Sequence, residues 1–509
     1  MLKLPKMLTS FNFLSSNLIR SCSSDTIFAL SSGQGKCGVA VIRISGTNSG
    51  NALKLVTNLS DLPKPRTAVL RSILHPKTHE ILDKGLILWF PGPKSFTGED
   101  SFELQVHGGL AVINAVFDAL SSIPKLRLAE PGEFTKRAFH NAKLDLTEVE
   151  GLADLLQAET EIQRKQAFLQ TQGSLSNLYN KWKKELIKCV ASVEAHIDFD
   201  ETDTLEQNLI QEVMEIVRKL CNEIENHLSN GHKGEILRNG VKTVILGEPN
   251  AGKSSLLNIL CKRPAAIVTP IEGTTRDILE VTLNIGGYPL VLADTAGLRS
   301  QTQDVVEKEG ISRALKLYKK SDLVLLVVDA EKYITWKTKN VDKTLITYVK
   351  EYIKTLHLDS LLNDCNTENF ERLFTKQCLV ILNKTDLKND ENFNVRDEVV
   401  VPVSCKTEDG ITNLVQTISK RLKVLCGEPS QDHPSMNQQR HRQHLTDCLN
   451  SLNLFLKYSH YTNQPDISPD LVLLAEHLRK ALRHLGKLVG TVTTDNLLDI
   501  IFKDFCIGK

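Results

Sequence analysis

Residues 247–254 read GEPNAGKS, between an apolar run (VKTVILG, 241–247) and a stretch of helical spacing (SSLLNIL). A Gly-rich turn that leaves a strand and opens a helix is a phosphate cradle. Its backbone N–H groups wrap the phosphates, Lys253 reaches the β- and γ-phosphates, and the Ser254 hydroxyl ligates Mg2+. Asn250, Ala251, Gly252 and Ser255 complete this contact set. Further apolar runs follow at 289–294 (PLVLAD), 322–329 (DLVLLVVD), 377–383 (QCLVILN) and 399–404 (VVVPVS). Strands alternating with helical segments predict a mostly parallel, doubly wound sheet.

The loops after these strands name the base. Asp294, Thr295, Ala296 and Gly297 form DTAG at a strand end, where the acid can hold the Mg2+ hydration shell and the glycine N–H can meet the γ-phosphate. Asn383, Lys384, Thr385 and Asp386 form NKTD after the next apolar strand but one. The Asp386 carboxylate can accept from guanine N1–H and the 2-amino group. Adenine offers neither, and a polar site of this kind rejects the wrong base strongly. Ser404, Cys405 and Lys406 follow another strand and can touch the base through backbone. Between P-loop and DTAG lies GTTRD at 273–277, with Gly273, Thr274 and Thr275, where a switch loop belongs; Thr275 can add its hydroxyl to the Mg2+ shell. The order of motifs predicts a GTP hydrolase. Ras-like enzymes carry a water-orienting Gln directly after DxxG, but this chain has Leu298. An apolar side chain cannot orient water, and Glu307 is the nearest acid that can.

Around this core the chain changes character. Its 509 residues suggest about three domains. A formal net charge of +1 makes any nucleic-acid site a local patch rather than a global field. Eleven widely spaced cysteines without a Cys-x-x-Cys pair fit reduced thiols. No uncharged apolar run reaches the roughly 18 residues of a membrane span. Residues 1–24 hold Lys3, Lys6, Arg20 and six serines but no acid, which is the composition of a mitochondrial transit peptide. A tail with no address is the alternative. Residues 25–142 read as an α+β domain, with strands at 38–44 and 85–90 and a helix from His107 to Leu120. Residues 143–236 read as long helices, 237–426 as the G domain, and 427–509 as helical again. The α/β domain is therefore expected to be inserted into a helical bundle. The stretch 331–375 is polar, carries no motif, and is expected to be an insertion or a surface helix-loop. The basic run QQRHRQHL at 438–445 is either a solvated helix face or a phosphate contact.

The segments GEPNAGKSSLLN, AAIVTPIEGTTRDILE, DTAGLR and the terminal FCIGK (505–509) resemble the MnmE family of tRNA modification GTPases, also called TrmE. So do DTIFAL (25–30), VIRISG (41–46), SFTGED (95–100), HGG (107–109), PGEFTKRAF (131–139) and KLDL (143–146). The likeness spans Asp25 to Lys509 with a gap over 331–375, and the transit-like start suggests the mitochondrial member.

The resemblance implies an N-terminal domain that dimerises and binds 5-formyl- or 5,10-methylene-tetrahydrofolate, with contacts matching Arg43, Glu103, Lys143 and Lys509. It implies K+-stimulated hydrolysis across paired G domains, with K+ ligands matching Asn250, Thr269, Ile271 and Thr274, and a water-orienting acid matching Glu307. Thr269 joins the nucleotide contacts on the same ground. It further implies an MnmG-like partner that supplies FAD, and modification of C5 of the wobble uridine of certain mitochondrial tRNAs in the matrix, of carboxymethylaminomethyl or taurinomethyl type. Cys506 corresponds to a family cysteine suspected of chemistry near the folate; a packed thiol is the alternative. Cys37 departs from the family's glycine-rich step near Arg43. The competing reading is an Era-like regulatory or ribosome-assembly GTPase, which would need an RNA-binding module such as a KH domain after the G domain.

Overall fold

The computed structural model describes residues 25–33, 35–199, 203–262, 281–292, 317–363, 370–387, 398–431, 434–460, 470–490 and 508. They fall into two compact units: residues 1–153, 176–183 and 485–509, and residues 154–175 and 184–484.

The first unit is built on a six-stranded sheet. Its strands are β1 (Thr26–Leu30), β2 (Cys37–Ser45), β3 (Val69–Leu74), β4 (Ile81–Phe90), β5 (Ser101–Gly108) and β6 (Leu126–Leu128), in the order β3-β4-β5-β2-β1-β6. All neighbours are antiparallel except β1 and β6. Alternation sorts the side chains of β2 and β5. Ala40, Ile42, Ile44, Phe102 and Leu104 are buried in a core with Leu53, Val116 and Leu120 of the helices Ser49–Thr57 and Leu110–Ser121. Arg43 and Glu103 point to the opposite face, as direct cross-strand partners. There Ile27 and Ala29 of β1 pack with Phe134 of the helix Glu133–His140. His107 belongs to β5, and the helix expected from that residue begins at Leu110: the strand continues its ladder through Gly108, opposite Cys37. Gly508 lies at the end of β1, where its carbonyl accepts from the Ser31 hydroxyl at 2.9 Å.

The second unit holds the sheet predicted from the motifs. Strands β7 (Val241–Leu246), β8 (Val281–Ile285), β9 (Tyr288–Leu292), β10 (Leu323–Asp329), β11 (Gln377–Asn383) and β12 (Val400–Pro402) stand in the order β12-β11-β10-β7-β9-β8. All pairs are parallel except the β8–β9 hairpin. Every residue of β10 is buried, as a strand covered on both faces must be. One face (Leu323, Leu325, Val327) packs with Leu256 and Leu260 of the helix Lys253–Lys262 and with Leu414 and Ile418 of Ile411–Cys426. The other face (Val324, Leu326, Val328) packs with Tyr348, Val349, Tyr352 and Ile353. Those four lie on the helix Leu345–Thr355, inside the stretch expected to be a surface insertion. The stretch, expected to be an insertion or a surface helix-loop, does form the helices Ala330–Lys339 and Leu345–Thr355, but the second is not a surface element: it helps to cover one face of β10. The stretch had read as polar because its exposed positions outnumber the buried ones.

Long helices complete this unit. Glu161–Thr171 begins with a capping box: Gln163 N–H donates to the Thr160 hydroxyl, and the Gln163 side chain accepts from Thr160 N–H. Gln163 Nε2 also donates to the Leu237 and Arg238 carbonyls at the end of Asp203–Asn239. Ile162 N–H donates to the Gly287 carbonyl at the tip of the β8–β9 hairpin (3.1 Å). In the basic run, Arg442 pairs with Glu235 at 2.7 Å and His441 is fully buried, so part of that run is packed into the helical scaffold. Among the described residues, no helix is long and apolar enough to cross a membrane.

Candidate active site

The P-loop leaves β7 at Gly247 and runs into the helix Lys253–Lys262. Two of its positions require glycine. Gly247 has φ +152°, and a Cβ there would lie 2.3 Å from the Val327 carbonyl oxygen. Gly252 has φ +100°, and a Cβ there would lie 2.0 Å from Asn383 Nδ2. Asn250 adopts φ +63°, which its short polar side chain tolerates. The turn thereby brings Ala251 and Gly252 against the NKTD loop.

Lys253 Nζ donates to the Gly247 and Glu248 carbonyls at 2.8 and 2.7 Å, so the ammonium folds back over the loop. An ammonium has three protons, which leaves one for a phosphate oxygen. Burial pushes the Lys253 pKa down and the Glu248 charge pulls it back up. Ser254 and Ser255 are exposed on the first helical turn, and Ser254 there fits the role of a Mg2+ ligand.

Asn383 joins three motifs. Its Nδ2 donates to the Ala251 carbonyl at 2.8 Å, and its Oδ1 accepts from Cys405 N–H at 3.1 Å. It is 1% exposed, and these two contacts fix its orientation. Lys384, at φ +69°, pairs with Asp329 at 2.7 Å. Thr385 opens the short turn that carries Asp386. The Ser404 hydroxyl donates to Asp386 Oδ1 at 2.7 Å and accepts from Lys406 N–H at 3.3 Å and Thr407 N–H at 3.1 Å. That hydroxyl is the main reason the Asp386 carboxyl sits below its ordinary range. An ionised carboxylate offers only acceptors, as the guanine N1–H and amino group require. Burial pushes the Cys405 thiol up to about 11, so Cys405 contributes its backbone and not a thiolate.

Sequence reasoning missed a support behind the loop. The Tyr352 hydroxyl accepts from Glu248 N–H and donates to the Val327 carbonyl. Lys332 pairs with the Glu248 carboxylate at 2.6 Å. Both come from the stretch in which no motif was found. The signal lay in spacing: Tyr348, Val349, Tyr352 and Ile353 repeat at helical intervals.

Several predicted residues lie outside the described residues: Thr269, Ile271, Gly273, Thr274, Thr275, Asp294, Thr295, Ala296, Gly297, Leu298, Glu307, Cys506 and Lys509. What the structure brings together is the P-loop, NKTD and SCK, locked by Asn383 and Ser404.

A family model described as "MnmE helical domain" matches residues 146–506, and one described as "GTP-binding protein TrmE N-terminus" matches residues 26–143. The chain is 47% identical over 494 residues to the mitochondrial 5-taurinomethyluridine-tRNA synthase subunit GTPB3 of Danio rerio, covering 95% of this chain and 93% of that one. The Homo sapiens protein of the same name is 45% identical over 489 residues, covering 96% and 94%. The tRNA modification GTPase MnmE of Rickettsia bellii (strain RML369-C) is 40% identical over 487 residues, covering 95% and 100%. The chain belongs to the MnmE family of tRNA modification GTPases.

In this MnmE-family chain, the other predicted cluster lies on the face of the first sheet that also carries Phe134 of the helix Glu133–His140. Arg43 and Glu103 form an ion pair at 3.0 Å, each side chain about a fifth exposed. The Arg43 guanidinium stacks over Phe96 (5.3 Å) and lies near Phe134 (5.9 Å). Phe96 comes from the 91–100 loop. Lys143 lies against that same loop, its Nζ donating to the Pro93 carbonyl at 3.1 Å. The loop is held to the helix Glu133–His140 by Arg137, which pairs with Glu99 (3.1 Å) and Glu133 (2.9 Å). Phe96, Phe134 and Arg137 were not singled out from sequence, although SFTGED and PGEFTKRAF contain them. Cys37 is exposed at the start of β2, beside a register irregularity between Cys37 and Ala40.

Proposed function

We propose that this chain is the GTPase subunit of a mitochondrial enzyme that modifies C5 of the wobble uridine of certain tRNAs. It acts as a homodimer in the matrix, with an MnmG-like partner that supplies FAD. The observation that carries this reading is the likeness across almost the whole of both chains to relatives named as taurinomethyluridine-tRNA synthase subunits. The appended group is of taurinomethyl or carboxymethylaminomethyl type. Nucleoside mass spectrometry of mitochondrial tRNA after loss of the protein tests it; unchanged wobble uridines would overturn it.

The nucleotide site supports the hydrolytic part. Asp386 selects guanine, the P-loop N–H groups and Lys253 hold the phosphates, and Ser254 and Thr275 hold Mg2+, which offsets phosphate charge. Glu307 orients the attacking water in place of the residue missing at Leu298. Asn250, Thr269, Ile271 and Thr274 hold K+, where a cation stands in for an arginine finger. Hydrolysis in K+ against Na+, with Asn250→Ala alongside, checks this; equal rates in both salts would refute it.

The Arg43 cluster supports tetrahydrofolate binding. A guanidinium and the Lys143 ammonium suit carboxylates, Glu103 suits pterin N–H groups, and Phe96 offers a stacking face. Titration with 5-formyltetrahydrofolate should lose saturable binding in Arg43→Ala. The Era-like alternative is not favoured, because the described residues after Cys426 form the helices Gln439–His460 and Leu471–Val489 and no strand.

A further inference from the structure

The helices Gln439–His460 and Leu471–Val489 carry a second side-chain cluster, separate from the nucleotide motifs and from the Arg43 face. His444 and Asp447 are three residues apart on the first helix and therefore share a face. His484 comes from the second helix. One ligand atom from each of the three lies within 4.8 Å of the other two. His484 Nδ1 is 3.7 Å from Asp447 Oδ2, and the His444 and His484 rings stand 5.8 Å apart between centroids. All three residues are half-buried.

From this convergence we propose that His444, Asp447 and His484 form a site for a transition-metal ion, best matched to Zn2+. Two imidazoles and one carboxylate make a nitrogen-rich set. Such a set favours zinc over the hard cations Mg2+ and K+ that the nucleotide site calls for, which prefer oxygen. In a tetrahedral zinc site with bonds of about 2.0–2.1 Å, ligand atoms stand roughly 3.4 Å apart. From separations of at most 4.8 Å the three atoms would need to close by up to about 1.4 Å to reach that geometry. Three protein ligands leave a fourth position for water. A simple His484–Asp447 ion pair at a half-buried position contributes little. A bound ion would join the two helices and resist their separation.

The test uses the full-length protein, nucleotide-free and stripped of metal by chelation. Zn2+ is titrated against a competing dye, and Co2+ is added as a spectroscopic substitute. Wild type should bind one more equivalent of Zn2+ than His484→Gln. It should also show the visible d–d bands of a low-coordinate cobalt site and melt at a higher temperature with Zn2+ than without. Loss of a ligand should weaken the site by at least the 10–100-fold, roughly, that losing a ligand's supporting hydrogen bond costs metal sites. The exposed thiol of Cys37 is a competing zinc ligand, so Cys37→Ser must keep the extra equivalent. Asp447→Asn, nearly identical in shape, repeats the measurement should a histidine variant fail to fold. Equal stoichiometry and equal cobalt spectra in wild type, His484→Gln and Asp447→Asn would overturn the proposal, as would loss of the equivalent in Cys37→Ser.

Discussion

The Tyr352 hydroxyl stands between two backbone groups, 2.7 Å from Glu248 N and 2.9 Å from Val327 O. It ties the second residue of the P-loop to the central strand β10. Tyr352 is 4% exposed, so Tyr352→Phe leaves a half-buried N–H and a buried C=O without that partner. An unmet buried polar group costs about 1–3 kcal/mol. Part of that should appear as a lower Tm and part as weaker GTP binding, measured by fluorescent-nucleotide titration. Unchanged nucleotide affinity would show that the hydroxyl supports the fold only.

Asn383 spans from Ala251 to Cys405, so Asn383→Ala should uncouple the phosphate loop from the base loop. The expected outcome is a loss of GTP affinity of about tenfold or more, from two broken buried hydrogen bonds. Gly252→Ala should be more severe, because its Cβ has no room beside Asn383 and the backbone is left-handed. Binding assays on both variants check the order; equal effects would contradict the packing argument.

Asp386→Asn replaces a double acceptor with one acceptor and one donor. GTP should bind far more weakly, and xanthosine triphosphate, which has a carbonyl where guanine has its amino group, should bind better. Ser404→Ala removes the hydroxyl that holds the Asp386 carboxyl low. The acid limb of GTP binding should then move to higher pH, toward the ordinary value of 3.8. Competition binding across a pH series measures both.

His227 is pushed down to about 4 by burial, and by the charge of His441 beside it. A histidine whose folded pKa lies below its unfolded value of about 6.5 favours the fold above 6.5. That contribution is lost as pH falls from 6.5 toward 4. Urea unfolding at pH 7 and pH 5 should therefore show an acid-dependent loss of stability that His227→Gln reduces. An identical pH dependence in the two proteins would contradict the assignment.

Much of the G-domain sheet was legible because several strands run into motifs of recognisable chemistry, GEPNAGKS after β7, NKTD after β11 and SCK after β12. What escaped was support rather than chemistry. Tyr352 carries no motif, and its role depends on a helix packed against β10. The Arg43–Glu103 pair needed the β2–β5 register, which sequence spacing alone does not set. Phe96 and Arg137 lay in quoted segments, but only their contacts gave them roles. His107 was read into a helix because Gly108-Gly109 looked like its start, whereas the ladder with β2 extends the strand through Gly108.

The β8–β9 hairpin lies in the chain between the stretch carrying GTTRD and the stretch carrying DTAG. Its tip at Gly287 is fastened to Ile162, on the helix whose Gln163 grips the end of Asp203–Asn239. The turn of the ribbon and the end of that long helix are thus held by adjacent residues, Ile162 and Gln163, on one helix. The hairpin is a strut: any displacement of its turn must be passed to, or resisted by, the helix that also grips the end of Asp203–Asn239.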